Sequence, residues 1–417
     1  MTHWKTRFFT IWMGQSLSLV GSAAAQFALV WWVARESGSA TVLAMATFVA
    51  LIPGVLLSPV AGVIVDRLPR KWIILLADGF IALASLWLAY LFWSGTIQIG
   101  HVYLVMFLRS LGGAFHYPAM SAATTMMVPK DQFARVDGLN QAMNGARSIA
   151  APPLGAFLVA LLAMPLIMII DVATAAFAIA GVLPFRIPNP DRAEGRSFRW
   201  REFTADFREG FRFIIGWRDL AVFVAMLVGI NFLLTPIGSL LPLLVSKHFG
   251  GDQFLLGWFQ SGSGFGFIIG GFILTLWGLK KNRLTVAAIG FIGQGAAALI
   301  LGAAPAHMGW LGIASLWLAG ITSSIAIGCM RATYRVAVPP EIQGRVFSLT
   351  TSLCLAANPL AVAIAGPISD AVGIRFWYLF AGAGVLLLGL VGLIGPTMRR
   401  FEVEANRRAG ELESRAS

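Results

Sequence analysis

Twelve apolar stretches, each near the length of a membrane-crossing helix, follow one another along this 417-residue chain with mostly short connections. Their approximate limits are 8–34, 42–65, 72–94, 101–128, 137–163, 165–185, 219–246, 253–278, 284–304, 309–337, 345–371 and 374–396. A helix rises about 1.5 Å per residue, so about 20 apolar residues cross the hydrocarbon core of a bilayer. In that medium every backbone N–H and C=O must be bonded internally, which leaves helices or closed barrels as the spanning structures. Runs of this length are helices, and the expected fold is an all-α membrane protein. Composition agrees, with 58% hydrophobic and 12% charged residues, about half the charged share of a soluble protein. The first run follows Lys5 and Arg7 and passes through Ala23, Ala24 and Ala25 as a signal peptide does. It continues to Val33, too far for a signal core, and reads as an uncleaved first helix.

The net charge is +12, but the basic residues are scattered through short connections rather than gathered on one surface. That distribution orients a membrane protein and meets anionic lipid; it does not point to nucleic acid. Of 31 Lys and Arg residues, 25 fall in the termini, the even-numbered connections and the helix ends beside them. Three (Arg35, Lys247, Arg375) fall on the opposite side, and three (Arg109, Arg147, Arg331) lie within spans. Short basic loops stay in the cytoplasm, so both termini are expected there. The two cysteines, Cys329 and Cys354, lie inside spans and do not make a disulfide framework. There are five histidines, with no H-E-x-x-H, no phosphate-binding glycine loop and no nucleophile elbow. Hence no metal, no cofactor, no ATP drive and no enzyme activity are expected.

The tightest connection runs from Gly62 to Lys71. It places Asp66, Arg67, Arg70 and Lys71 between the second and third spans, with Pro69 forbidding a continuous helix. A positive-inside loop explains the bases but not an acid at the end of a span, nor a glycine four residues before it. Gly62, Asp66, Arg67, Arg70 and Lys71 resemble the G-x-x-x-D-R-x-x-R-K signature of the major facilitator superfamily, with Pro69 in place of a commonly seen glycine. The resemblance implies that these residues gate the cytoplasmic side.

The two halves repeat. Val128-Pro129-Lys130-Asp131 and Arg135-Val136 recur 210 residues later as Val338-Pro339-Pro340-Glu341 and Arg345-Val346. At an offset of 212, Gly54 and Ser58 map onto Gly266 and Gly270, and Arg70-Lys71 onto Asn282-Arg283. Two six-helix bundles in parallel repeat are expected: 1–185 and 219–398, with a linker at 186–218 and a charged, frayed cytoplasmic tail at 399–417. In the linker Trp200, Phe203, Phe207, Phe211 and Ile214 form an apolar stripe ringed by Arg199, Arg201, Arg208 and Arg212, the pattern of an interfacial helix. Small residues four apart (Gly54, Ser58, Gly62; Gly262, Gly266, Gly270) are read as close helix contacts.

Polar stripes at helical spacing mark cavity faces. Gln15, Ser18, Ser22 and Gln26 lie on the first span, Asn140, Asn144 and Arg147 on the fifth, Asn231, Thr235 and Ser239 on the seventh, and Asn358 on the eleventh. His116 on the fourth span is a packing or cavity residue. Charges deep in the spans are Arg109, Arg147, Asp78 and Asp171; such groups require pairing or a watery cavity. Arg109, Asp78 and Asp171 are the candidates for proton coupling, and structural pairing of the two acids is an equal reading of them.

Several stretches resemble the macrolide-efflux branch of the drug:proton antiporter-3 family. They are Phe8 to Gln15, Gly38-Ser39-Ala40, Val65-Asp66-Arg67, Phe107 to Ser110 with Ala114-Phe115-His116, and Gly344 to Thr350. The resemblance implies twelve helices, alternating access and export driven by an ion gradient, and the expected protein is a multi-pass exporter of amphipathic small molecules, a monomer in a bacterial inner (plasma) membrane. Sodium would need a cluster of oxygens, which the spans do not offer, so protons are the expected ion. Arg147 departs from that branch. Export of a siderophore or a lysolipid is the alternative within transport. A membrane-embedded enzyme or a transport-like sensor is the alternative outside it, without the convergent catalytic residues or the signalling domain that either needs.

Overall fold

The computed structural model describes residues 3–188, 200–278 and 282–416, and they are helical throughout apart from short connections. Six long helices come first: α1 (His3–Ser37), α2 (Ala40–Arg67), α3 (Arg70–Trp93), α4 (Ile99–Met127), α5 (Phe133–Leu161) and α6 (Met164–Val182). After α7 (Trp200–Gly216) come α8 (Arg218–Lys247), α9 (Gln253–Trp277), α10 (Arg283–Ala303), α11 (Gly309–Ala337), α12 (Pro340–Val372) and α13 (Ile374–Ile394). The chain ends with α14 (Pro396–Ala416). Ten of these helices are long and apolar enough to cross a membrane. The other two of the twelve expected spans are α4 and α5, at 29 residues each. Their length suffices, and their polar and charged residues, among them Arg109 and His116 on α4 and Arg135, Asp137 and Arg147 on α5, lower the hydropathy.

The boundaries follow local chemistry. Ser39 caps α2, its hydroxyl accepting the N–H of Val42 at 3.3 Å. Leu68 is extended and ends α2, and Pro69 leads directly into α3. The Val128-Pro129 and Val338-Pro339 pairs both break the chain between long helices, as expected where a residue preceding proline is pushed out of the helical region.

The chain divides into two compact units, residues 1–197 with 252–258 and residues 198–251 with 259–417. Each uses the same pairing scheme. In the first, α1 packs against α5 and α6, and α3 lies against α4 and α6. In the second, α8 packs against α12 and α13, and α10 lies against α11 and α13. The sequence repeat maps onto matching cores. Met127, Val128 and Val136 are buried in one cluster, and Ala337, Val338 and Val346, 210 residues on, in its counterpart.

Two expectations about packing change. The tail is helical to Ala416 rather than frayed, and it docks on its own unit: Met398, Phe401 and Ala405 join the buried cluster. The small-residue stripe on α9 does make a close contact. A Cβ at Gly266 or Gly270 would run into the carbonyls of Trp317 and Ile321 on α11. The stripe on α2 does not: at Gly54 and Gly62 a Cβ would meet nothing within 4 Å. In the linker, α7 starts at Trp200, with Phe207 and Phe211 exposed and Ile214 buried in the unit's core. Arg199 and the side chains of Trp200, Arg201 and Phe203 lie outside the described residues.

Candidate functional site

Two polar layers lie inside the first unit. Three helices contribute to both, each with residues seven apart: Gln15 and Ser22 on α1, Asp78 and Ser85 on α3, Arg109 and His116 on α4. Seven residues are two turns, so the layers are about 10 Å apart along the helices. Helices α1 and α3 share a direction and α4 runs opposite, which puts Gln15, Asp78 and His116 at one level. Ser22, Ser85 and Arg109 sit at the other, joined by Asp171 of α6.

Glycines let these helices approach. Gly112 lies on α4 between Arg109 and His116, and a Cβ there would come within 2.7 Å of Ile81 on α3. Gly21 does the same for α1 and α6, where a Cβ would collide with Thr174. Small residues bring the backbones close enough for short side chains to bridge them.

In the layer nearer the Gly62–Lys71 turn, the three side chains form a closed ring, all of them buried. The Gln15 amide donates Nε2–H to Asp78 Oδ2 at 2.7 Å. His116 Nε2 lies 3.1 Å from Asp78 Oδ1 and 3.0 Å from Gln15 Oε1. Both neighbours of that nitrogen are acceptors, so Nε2 carries a proton and donates to them.

In the second layer Arg109 is ion-paired with Asp171, and its Nη1 also donates to Ser85 Oγ. Ser22 Oγ donates to Asp171 Oδ1 at 2.6 Å, and Ser85 Oγ donates to Asp171 Oδ2 at 2.8 Å. The second guanidinium arm reaches the Ser22 carbonyl at 3.3 Å. Here a buried carboxylate meets a fixed cation and two hydroxyls, the condition under which a buried charge pair is tolerated.

The turn at 62–71 is anchored to two other helices. Arg70 is buried, donates to the Ala122 carbonyl of α4 at 3.2 Å, and lies 3.8 Å from Asp66. Lys71 Nζ donates to the Leu183 carbonyl at 2.6 Å, at the C-terminal end of α6 where the helix dipole favours a cation. The Asp66 side chain is 76% exposed, so its carboxylate is available beyond this contact. Arg67 is exposed, and Gly62 has open space before it.

The residues expected to line a cavity fall into three groups. Gln15 and His116 are not on an open wall; they are packed with Asp78. Asn140 accepts the Trp12 indole N–H at 2.8 Å, while Asn144 is exposed and Gln26 and Arg147 are half-buried. In the second unit, Thr235 Oγ1 on α8 lies 2.8 Å from Asn358 Oδ1 on α12 and donates to the Asn231 carbonyl at 2.7 Å. The Asn231 amide donates back to Leu227 O, so Asn231, Thr235 and Asn358 form one polar track. Among the described residues no group of three metal-binding side chains occurs. Sequence reasoning passed over Ser85; its seven-residue spacing from Asp78 was the available signal.

Comparison with known proteins agrees with this architecture. The family profile described as Major Facilitator Superfamily matches residues 11–357. Macrolide efflux protein A of Streptococcus pyogenes is 30% identical over 405 residues, 96% of this chain and 99% of that protein. Multidrug efflux pump Tap of Mycobacterium tuberculosis is 22% identical over 406 residues, covering 95% and 94% of the two chains. Among solved structures, a bacterial homologue of the iron transporter ferroportin, in an inward-facing state, superposes with a TM-score of 0.71. It is 14% identical, with 94% of this chain and 99% of that one covered. A mutant of the peptide transporter POT gives a TM-score of 0.71 at 13% identity, over 94% and 95% of the two chains.

Proposed function

The chain belongs to the Major Facilitator Superfamily and is a secondary transporter of small molecules in a membrane, and we propose that it exports macrolide-like amphipathic compounds in exchange for protons. The observation that carries this reading is 30% identity to a macrolide efflux protein across 96% of the chain. Both termini and the 186–218 connection face the cytoplasm, in keeping with the distribution of basic residues, and the protein works as a monomer in a bacterial inner membrane.

Transport proceeds by alternating access. The Gly62–Lys71 turn acts on the cytoplasmic side. Arg70 and Lys71 fix it to α4 and α6, which leaves the exposed Asp66 carboxylate to form a contact that is made in one state and lost in another. The candidates for substrate contact are, in the first unit, Gln26 on α1 with Asn140, Asn144 and Arg147 on α5, and, in the second unit, Asn231 and Thr235 on α8 with Asn358 on α12. Proton coupling resides in the first unit, where Arg109, Asp78 and Asp171 are buried in the span interior.

The test is expression in a bacterial strain stripped of its own efflux pumps, with a compound panel that includes macrolides. The reading predicts raised resistance to at least one macrolide and lower cellular accumulation of it. Unchanged susceptibility to every macrolide, with the protein present in the membrane, contradicts it.

A further inference from the structure

The two buried acids of the first unit are not equivalent. Asp171 is held by the Arg109 guanidinium and by the hydroxyls of Ser22 and Ser85. Arginine keeps its charge under all ordinary conditions. A proton placed on Asp171 would leave a buried cation without its counter-charge, the most costly arrangement available in a low-dielectric interior. Asp78 has no such partner. Its two oxygens meet a neutral amide, Gln15, and an imidazole, His116.

We propose that Asp78 and His116, bridged by Gln15, are the proton-binding pair of this transporter, and that Asp171 remains a permanent carboxylate. This rests on the proton-exchange reading above and deepens it. With the carboxylate ionised and the imidazole neutral, the ring has a net charge of −1. One added proton brings it to zero, whether it settles on the carboxyl oxygen or on Nδ1 of the imidazole. Burial favours the neutral ring, and access to water favours the charged one, so a change in hydration loads or unloads one proton.

Gln15 links the ring to helix movement. It is the only one of the three on α1, and its amide both donates to Asp78 and accepts from His116. The elements around α3 and α4 bring few other charges. Helix α4 has Arg109 and His101 besides His116, α3 begins with Arg70 and Lys71, and α6 has Asp171, already paired with Arg109. Helix α2 has Asp66 and Arg67 at its end, and α5 carries Arg135, Asp137 and Arg147. Helix α1 has Lys5, Arg7, Arg35 and Glu36 near its termini. Among the described residues the ion-pair partner of Asp78 is His116.

The experiment uses inverted membrane vesicles containing the full chain, with radiolabelled erythromycin as the probe. Two activities are read per unit of protein: accumulation driven by an imposed proton gradient, and exchange of labelled for unlabelled erythromycin without a gradient. Asp78→Asn and His116→Gln should keep exchange and lose accumulation, down to the level of vesicles without a gradient. Their exchange should also lose its dependence on pH. Asp78→Glu should recover accumulation, which a purely structural defect would not allow, and Asp171→Asn should lose both activities. Wild-type accumulation in Asp78→Asn and His116→Gln overturns the assignment. So does an Asp171→Asn variant that exchanges normally but no longer accumulates, because the proton would then belong to the other layer. If the wild-type protein accumulates erythromycin regardless of the proton gradient, or not at all, it is the underlying reading that fails, and this assignment falls with it.

Discussion

Arg109 on α4 and Asp171 on α6 form an ion pair deep in the first unit, with hydroxyls from α1 and α3 completing the shell of the carboxylate. The pair therefore ties four helices together. Removing one member strands the other charge in a low-dielectric interior, at a cost of about 3–5 kcal/mol. Arg109→Ala is predicted to lower thermal stability and abolish transport. The double variant Arg109→Ala with Asp171→Asn, which strands no charge, should recover much of the stability but not the transport. Melting followed in detergent checks this; a double variant no more stable than Arg109→Ala contradicts it.

The C-terminal helix is a structural part of the second unit. Glu402 on α14 accepts the backbone N–H of Leu284 at 2.9 Å and lies 3.2 Å from the Thr285 hydroxyl, at the first turn of α10. Asn282, the residue before that helix, provides no side-chain cap, so the carboxylate comes from 118 residues away. It both satisfies an orphan donor and meets the positive end of the helix dipole. Glu402→Ala is predicted to cost about 1 kcal/mol, the usual value of a lost cap. Deletion from Pro396 onward should cost more, because Met398, Phe401 and Ala405 leave the core with it. Thermal melting of the two proteins should show both losses in that order.

Asp66→Asn is predicted to remove most transport while leaving membrane expression near normal. The side chain is exposed and its only described ion pair, with Arg70, is long at 3.8 Å; exposed pairs contribute about 1 kcal/mol or less. Folding therefore has little to lose, whereas a contact formed in one state of a transport cycle shifts the populations of both. Full transport by the Asn variant refutes the gating role.

Orientation is checked by cysteine labelling. Cysteines at Thr96 and His307 should react with an impermeant reagent in intact cells, and one at Gly195, which lies outside the described residues, should not. The reverse pattern overturns the assignment of the termini to the cytoplasm.

Much of the helical plan was legible because a bilayer imposes one element type and one length. The second span, read as 42–65, is Ala40–Arg67, and the Val-Pro pairs located two breaks. What the chain does not encode locally is which helices become neighbours. Helical spacing placed Gln15 and Ser22 on one face of α1, but only tertiary packing reveals that Gln15 meets Asp78 rather than a cavity. The same limit hid the difference between Asp78 and Asp171, which have similar sequence surroundings and opposite partners. The tail was misjudged for another reason. Its charge suggested fraying, yet Met398, Phe401 and Ala405 recur at the i, i+3, i+7 spacing of a helix with one buried face.

The most direct measurement is export against a gradient under two separate perturbations. Cells or vesicles expressing the protein are loaded with a labelled macrolide, and concentrative export is followed after an uncoupler collapses the proton gradient, and again after sodium is removed with the proton gradient intact. The account predicts that the uncoupler stops export and that sodium removal leaves it unchanged. Export that survives the uncoupler but fails without sodium would contradict proton coupling.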